Sequence, residues 1–107
     1  MRLPARVRVG PHPYNVRRVP GEQLKHKEDG SPLFGDTDVD TLTIRLCKWM
    51  RKSKSQEVLL HEVMHACVDP LEVDPKIEEL LISRLAPTLL QAMRDNPEMV
   101  KYLLAKQ

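Results

Sequence analysis

The chain has 107 residues, of which 41% are hydrophobic and 30% charged, and 17 Lys and Arg against 15 Asp and Glu leave a formal charge of +2. No apolar run approaches the roughly 20 residues of a membrane span, the first residues lack the apolar core of a signal peptide, and two cysteines build no disulfide framework. What is left is one small domain over residues 1–107, expected in a reducing, cytoplasmic setting with no membrane partner.

The two halves differ. Residues 1–55 hold all four glycines and carry a net +6, whereas residues 56–107 carry −4. The first half, to about residue 54, reads as sheet and loops, and the second as helices. Arg6–Val9 alternates polar and apolar residues as a half-buried strand does, and Gly10–Pro13 is a turn. Tyr14–Val19 is a second strand. Residues 22–36 form a polar loop from which Leu33 and Phe34 dip toward the core. Residues 36–40 are a turn that feeds a third strand, Thr41–Leu46, rich in β-branched residues. Ser55 is the expected N-cap of an apolar helix over 56–68. Asp74 and Pro75 open a second helix that runs to about Arg94, with Pro87 expected to kink or divide it. Asn96 and Pro97 open a short third helix to about Ala105. The expected class is α+β: a small antiparallel sheet of about three strands, then about three helices. Leu89, Leu90, Met93, Met99, Leu103 and Leu104 are expected in the core, and Cys47 and Cys67 as buried thiols.

His61-Glu62-Val63-Met64-His65 reads H-E-x-x-H. Residues four apart on a helix share a face, so both imidazoles can reach one ion. Glu62 then stands where a carboxylate can take a proton from a water activated by that ion. Two histidines and a glutamate on a helix otherwise rich in Leu, Val, Met and Ala call for a partner, and a metal supplies one. A catalytic zinc generally takes three protein ligands. No histidine follows His65, so the third ligand falls to a carboxylate of the next helix, Glu78 or Glu79. Asp69, Glu72 and Asp74 in the intervening turn are less well placed.

Residues 59–66 around this motif, followed by Glu79-Leu80-Leu81-Ile82-Ser83-Arg84-Leu85-Ala86-Pro87-Thr88-Leu89-Leu90, resemble the ImmA/IrrE-type metallopeptidases and small phage-encoded proteins related to them. Glu79, Leu85, Ala86, Leu89 and Leu90 fall on that family's second motif. The resemblance implies a minimal gluzincin-like (zincin) fold and one Zn²⁺ per chain held by His61, His65 and Glu79, with Glu78 the alternate. Ser83 stands where the family often has Asn or Asp, the partner of a ligand histidine. In zincin-like folds the strand before the active helix forms the edge that holds an extended peptide. That points to Thr41, Thr43 and Arg45 as substrate contacts.

Candidates for a donor to the transition state are His12, His26, Tyr14, Tyr102 and Arg84. The basic run from Lys48 to Lys54 could touch nucleic-acid phosphates, although such a run before a helix is ordinarily a solvated loop. The function expected is a zinc metallopeptidase acting on a protein or peptide, with Glu62 as general base. The alternative is a catalytically silent, zinc-stabilised module, phage-encoded or not, that binds protein or DNA. For a phage-encoded protein the setting would be the host cytoplasm.

Overall fold

Alternation of buried and exposed residues starts the fold at β1 (Arg6–Val9) and β2 (His12–Val19), a hairpin that pairs Arg6 with Asn15 and Val9 with His12. Gly10 closes its turn at φ +58°, a conformation most side chains resist. The computed structural model describes residues 2–26 and 29–106. After β2 comes a single 3₁₀ turn, Gly21–Gln23, then the fully buried Leu24, then β3 (Gly35–Asp38) and β4 (Thr43–Cys47).

The class is α+β, as expected, but the sheet is four-stranded and mixed, in the order β1-β2-β4-β3. Strands β2 and β4 run parallel, with Asn15 opposite Thr43 and Val19 opposite Cys47, while β3 and β4 are antiparallel. The correction to an all-antiparallel sheet has a physical reason. Parallel strands need a long connection between them, and residues 20–42 supply it. β3 was hidden in the sequence because Gly-Asp-Thr-Asp has the composition of a turn. Pairing with β4 overrides that local preference.

Helix α1 spans Lys52–Val68, beginning before the expected cap. Ser55 lies inside it, buried, and its Oγ accepts a hydrogen bond from Arg18 at 3.3 Å. The residues α1 buries are Ser55, Val58, Glu62 and Ala66, a stripe at helical spacing. Val58 and Ala66 join Tyr14, Val16, Ile44 and Leu46 in the main core. Cys67, expected to be buried, is exposed, and Cys47 is half-buried.

Helix α2 spans Pro75–Asp95, capped by Asp74, whose side chain accepts from the Lys76 N–H at 2.9 Å. It runs unbroken through Pro87, which removes only the N–H that would reach the Ser83 carbonyl. Ile82 and Ala86 of α2 are buried, which holds the helix in place across the proline. Helix α3 (Pro97–Leu104) buries none of its residues. Met99, Leu103, Leu104 and Leu89 are therefore exposed rather than in the core, and Ile77, Leu80, Leu81 and Leu85 extend that apolar surface along α2. Among the described residues no helix is long and apolar enough to cross a membrane.

Candidate metal centre

The site is assembled where α1 faces the first turns of α2. Asp69–Leu71 forms a 3₁₀ turn after α1, and Glu72 at φ +52° reverses the chain into α2. His61 and His65, one turn apart on α1, bring their Nε2 atoms to 3.2 Å from each other. Glu79 of α2 reaches both: its Oε1 lies 3.2 Å from His61 Nε2 and its Oε2 2.8 Å from His65 Nε2. His61, His65 and Glu79 thus form a group that could hold a metal ion, with one ligand atom from each within 4.8 Å of the others.

The donor chemistry fits an ion. A tetrahedral shell with bonds of about 2.0–2.1 Å has edges of about 3.3 Å between neighbouring ligand atoms. The two imidazole nitrogens, 3.2 Å apart, lie close to that edge, and Glu79 brings one oxygen to within 3.2 Å of the first and the other to within 2.8 Å of the second. The tautomer fits as well. Glu78 Oε2 lies 2.5 Å from His65 Nδ1, a position from which it can accept the Nδ1 proton of the tautomer that offers Nε2 to an ion. A lone pair, a second imidazole and a carboxylate aimed at one point are what a cation satisfies.

The structure therefore separates the two adjacent glutamates. Glu79 converges on both imidazoles, and Glu78 stands behind one of them. Neighbours on a helix point about 100° apart, and the His65 ring fits between them with one nitrogen toward each. Ser83 is also reassigned: its Oγ donates to Glu79 Oε1 at 3.0 Å, so it steadies the carboxylate rather than a histidine. The histidine's partner is Glu78, which the sequence offered only as an alternate ligand.

Burial and charge oppose each other across the cluster. Burial lowers the pKa of His61, and its neighbour His65 lowers it further, against the pull of Glu79. For Glu79, burial pushes the carboxyl up, but the Ser83 hydroxyl and the two imidazoles outweigh it and bring it below its ordinary value. Both shifts leave the donors unprotonated near neutral pH, the state a metal requires. Glu62 behaves differently. It is 6% exposed, and burial drives its carboxyl up to about 7. Thr37 of β3 donates to its Oε1 at 2.8 Å and also lies 3.0 Å from its backbone carbonyl. Thr37 was not singled out in the sequence, since a lone threonine in a polar stretch carries no motif.

All five of His61, Glu62, His65, Glu78 and Glu79 line a cleft of about 720 Å³ between β3, α1 and the start of α2. Phe34 forms part of its wall, with Lys54 Nζ 4.8 Å above the ring centre. Thr41, Thr43 and Arg45 do not line it. β4 has a strand on either side and so lacks the free edge expected of it; among the described residues the strand that ends the sheet beside the cleft is β3. Arg45 instead pairs with both carboxylate oxygens of Asp36, at 2.9 and 2.5 Å, and the Thr41 and Thr43 hydroxyls bond each other at 3.2 Å.

Of the five candidate donors, His26 lines the cleft. Tyr14 is buried in the core, Tyr102 is exposed on α3, and His12 and Arg84 face solvent elsewhere. In the basic run, Lys48 and Trp49 are exposed before α1 begins. Comparison of the chain with protein-family models, with curated proteins and with solved structures finds no match.

Proposed function

We propose that the protein is a zinc-dependent peptidase in which His61, His65 and Glu79 hold the ion and Glu62 is the general base. The observation that carries this reading is the meeting, in one open cleft, of a three-ligand cluster and the buried carboxylate of Glu62, whose burial raises its affinity for a proton. Two imidazoles and one carboxylate are a donor set suited to zinc, which, when bound, polarises a carbonyl and makes water a stronger acid.

The chain's own residues do the rest. Glu62, made more basic by its burial, accepts a proton from the attacking water and returns it to the leaving amine. Glu78 fixes the tautomer of His65, and Ser83 fixes the orientation of Glu79. Among the described residues β3 has a strand neighbour on one side only, and it borders the cleft, so an extended peptide could add to it by main-chain hydrogen bonds. The ImmA/IrrE-type resemblance of residues 59–66 and 79–90 supports the same reading.

The test is cleavage of a peptide library by zinc-loaded protein and by Glu62→Gln. Expected is hydrolysis by the wild type and a loss of about 10²–10⁴-fold in the variant at unchanged zinc content. Hydrolysis that survives the substitution overturns the role of Glu62. Stoichiometric zinc with no cleavage by either protein would leave the metal-stabilised interaction module as the reading.

A further inference from the structure

Gly35 and Thr37 lie two apart on β3 and so face the same way, toward α1. Opposite them stand Val58 and Glu62, one helical turn apart. Two strand residues advance about 6.6 Å and four helix residues about 6 Å, so the strand and the helix stay in step over this length. Gly35 makes the approach close. A Cβ there would lie 2.7 Å from Val58 Cγ1 and 2.9 Å from the Arg45 carbonyl oxygen. With that space empty, the Thr37 hydroxyl reaches Glu62 Oε1 at 2.8 Å.

We propose that Thr37 is a positioning residue for Glu62: its hydroxyl holds Oε1 and leaves Oε2 as the oxygen that exchanges the proton. The proposal rests on the reading of Glu62 as the base. A glutamate side chain has three rotatable bonds, and a carboxylate loose by 1 Å loses much of its catalytic effect. The same hydroxyl lies 3.0 Å from the Glu62 carbonyl, so its one proton is shared between two oxygens of the same residue, the nearer being Oε1. Because Thr37 sits on the edge strand beside the cleft, a peptide pairing with β3 would be aligned by the same strand that aligns the base.

The test uses Thr37→Val, which keeps the β-branched shape and removes the hydroxyl, and Thr37→Ser, which keeps the hydroxyl. Three quantities are read: zinc content, peptide turnover, and the side-chain carboxyl ¹³C resonance of Glu62 in the metal-free protein, assigned through its loss in Glu62→Gln. Thr37→Val should keep one zinc per chain, lower kcat by about 10–100-fold with KM within about threefold, and move the Glu62 resonance. Thr37→Ser should restore both kcat and resonance. An unmoved resonance, an unchanged kcat in Thr37→Val, or a serine variant that behaves like valine would overturn the proposal. Should the wild type cleave nothing, the peptidase reading falls, and the resonance alone decides whether Thr37 orients Glu62.

Discussion

Glu78 and Glu62 show what one carboxylate can do when its surroundings are fixed. Glu78, 2.5 Å from His65 Nδ1, makes the carboxylate–histidine arrangement that holds an imidazole in its ligating tautomer. Glu78→Ala should therefore weaken zinc binding by about 10–100-fold, read by competition with a chromophoric chelator. Glu62 predicts a pH effect in the metal-free protein. Its folded pKa of about 7 lies above the ordinary 4.5, so between these values the folded state keeps a proton that the unfolded chain releases. The group's favourable contribution is complete below about 4.5 and is lost as pH rises to about 7. Glu62→Gln has no such loss. Urea unfolding should show the variant gaining on the wild type across that window, by up to about 3 kcal/mol, and level above it. Parallel curves at all pH values would show that the carboxyl is not perturbed.

At the scale of elements, α1 and α2 were legible because helical periodicity, Asp74-Pro75 and H-E-x-x-H are local signals. The ligand histidines and the carboxylate-bearing helix could thus be read from the chain. β3 could not, since Asp36-Thr37-Asp38 has the composition of a turn and becomes a strand only through pairing with Arg45 and Ile44 of β4. The parallel β2–β4 pair was hidden for the same reason, and with it the fact that β4 has no free edge. Thr37 and the true work of Glu78 followed from these long-range placements and had no sequence signal of their own. Gly35 offers a test at this scale. The clash of a Cβ with the Arg45 carbonyl is with backbone, which yields little, so Gly35→Ala must push β3 from α1 or β4. Expected is a destabilisation of about 1–3 kcal/mol by urea unfolding. Wild-type stability in Gly35→Ala would contradict the close approach.

For the whole molecule, the sheet and α1 share the main core, whereas α2 buries only Ile82 and Ala86 fully and α3 buries nothing. Much of what ties α2 to α1 is the polar cluster of His61, His65, Glu78 and Glu79. An ion bridging the two helices would add to that tie. At zinc a hundredfold above Kd, binding contributes about 2.7 kcal/mol, equivalent to a rise in Tm of roughly 10 °C for a domain this size. Chelation should therefore lower Tm by about that much, and hydrogen exchange should quicken along residues 75–95 before it does in β2 and β4. Uniform loosening of both regions would argue against a bridge between the helices.

The most direct test of the metal centre is elemental analysis of the reconstituted protein beside folded His65→Ala. One zinc per chain in the wild type, and its loss in the variant, is the result predicted by the convergence of His61, His65 and Glu79. A wild type that takes up no zinc, or a His65→Ala protein that keeps it, would contradict it.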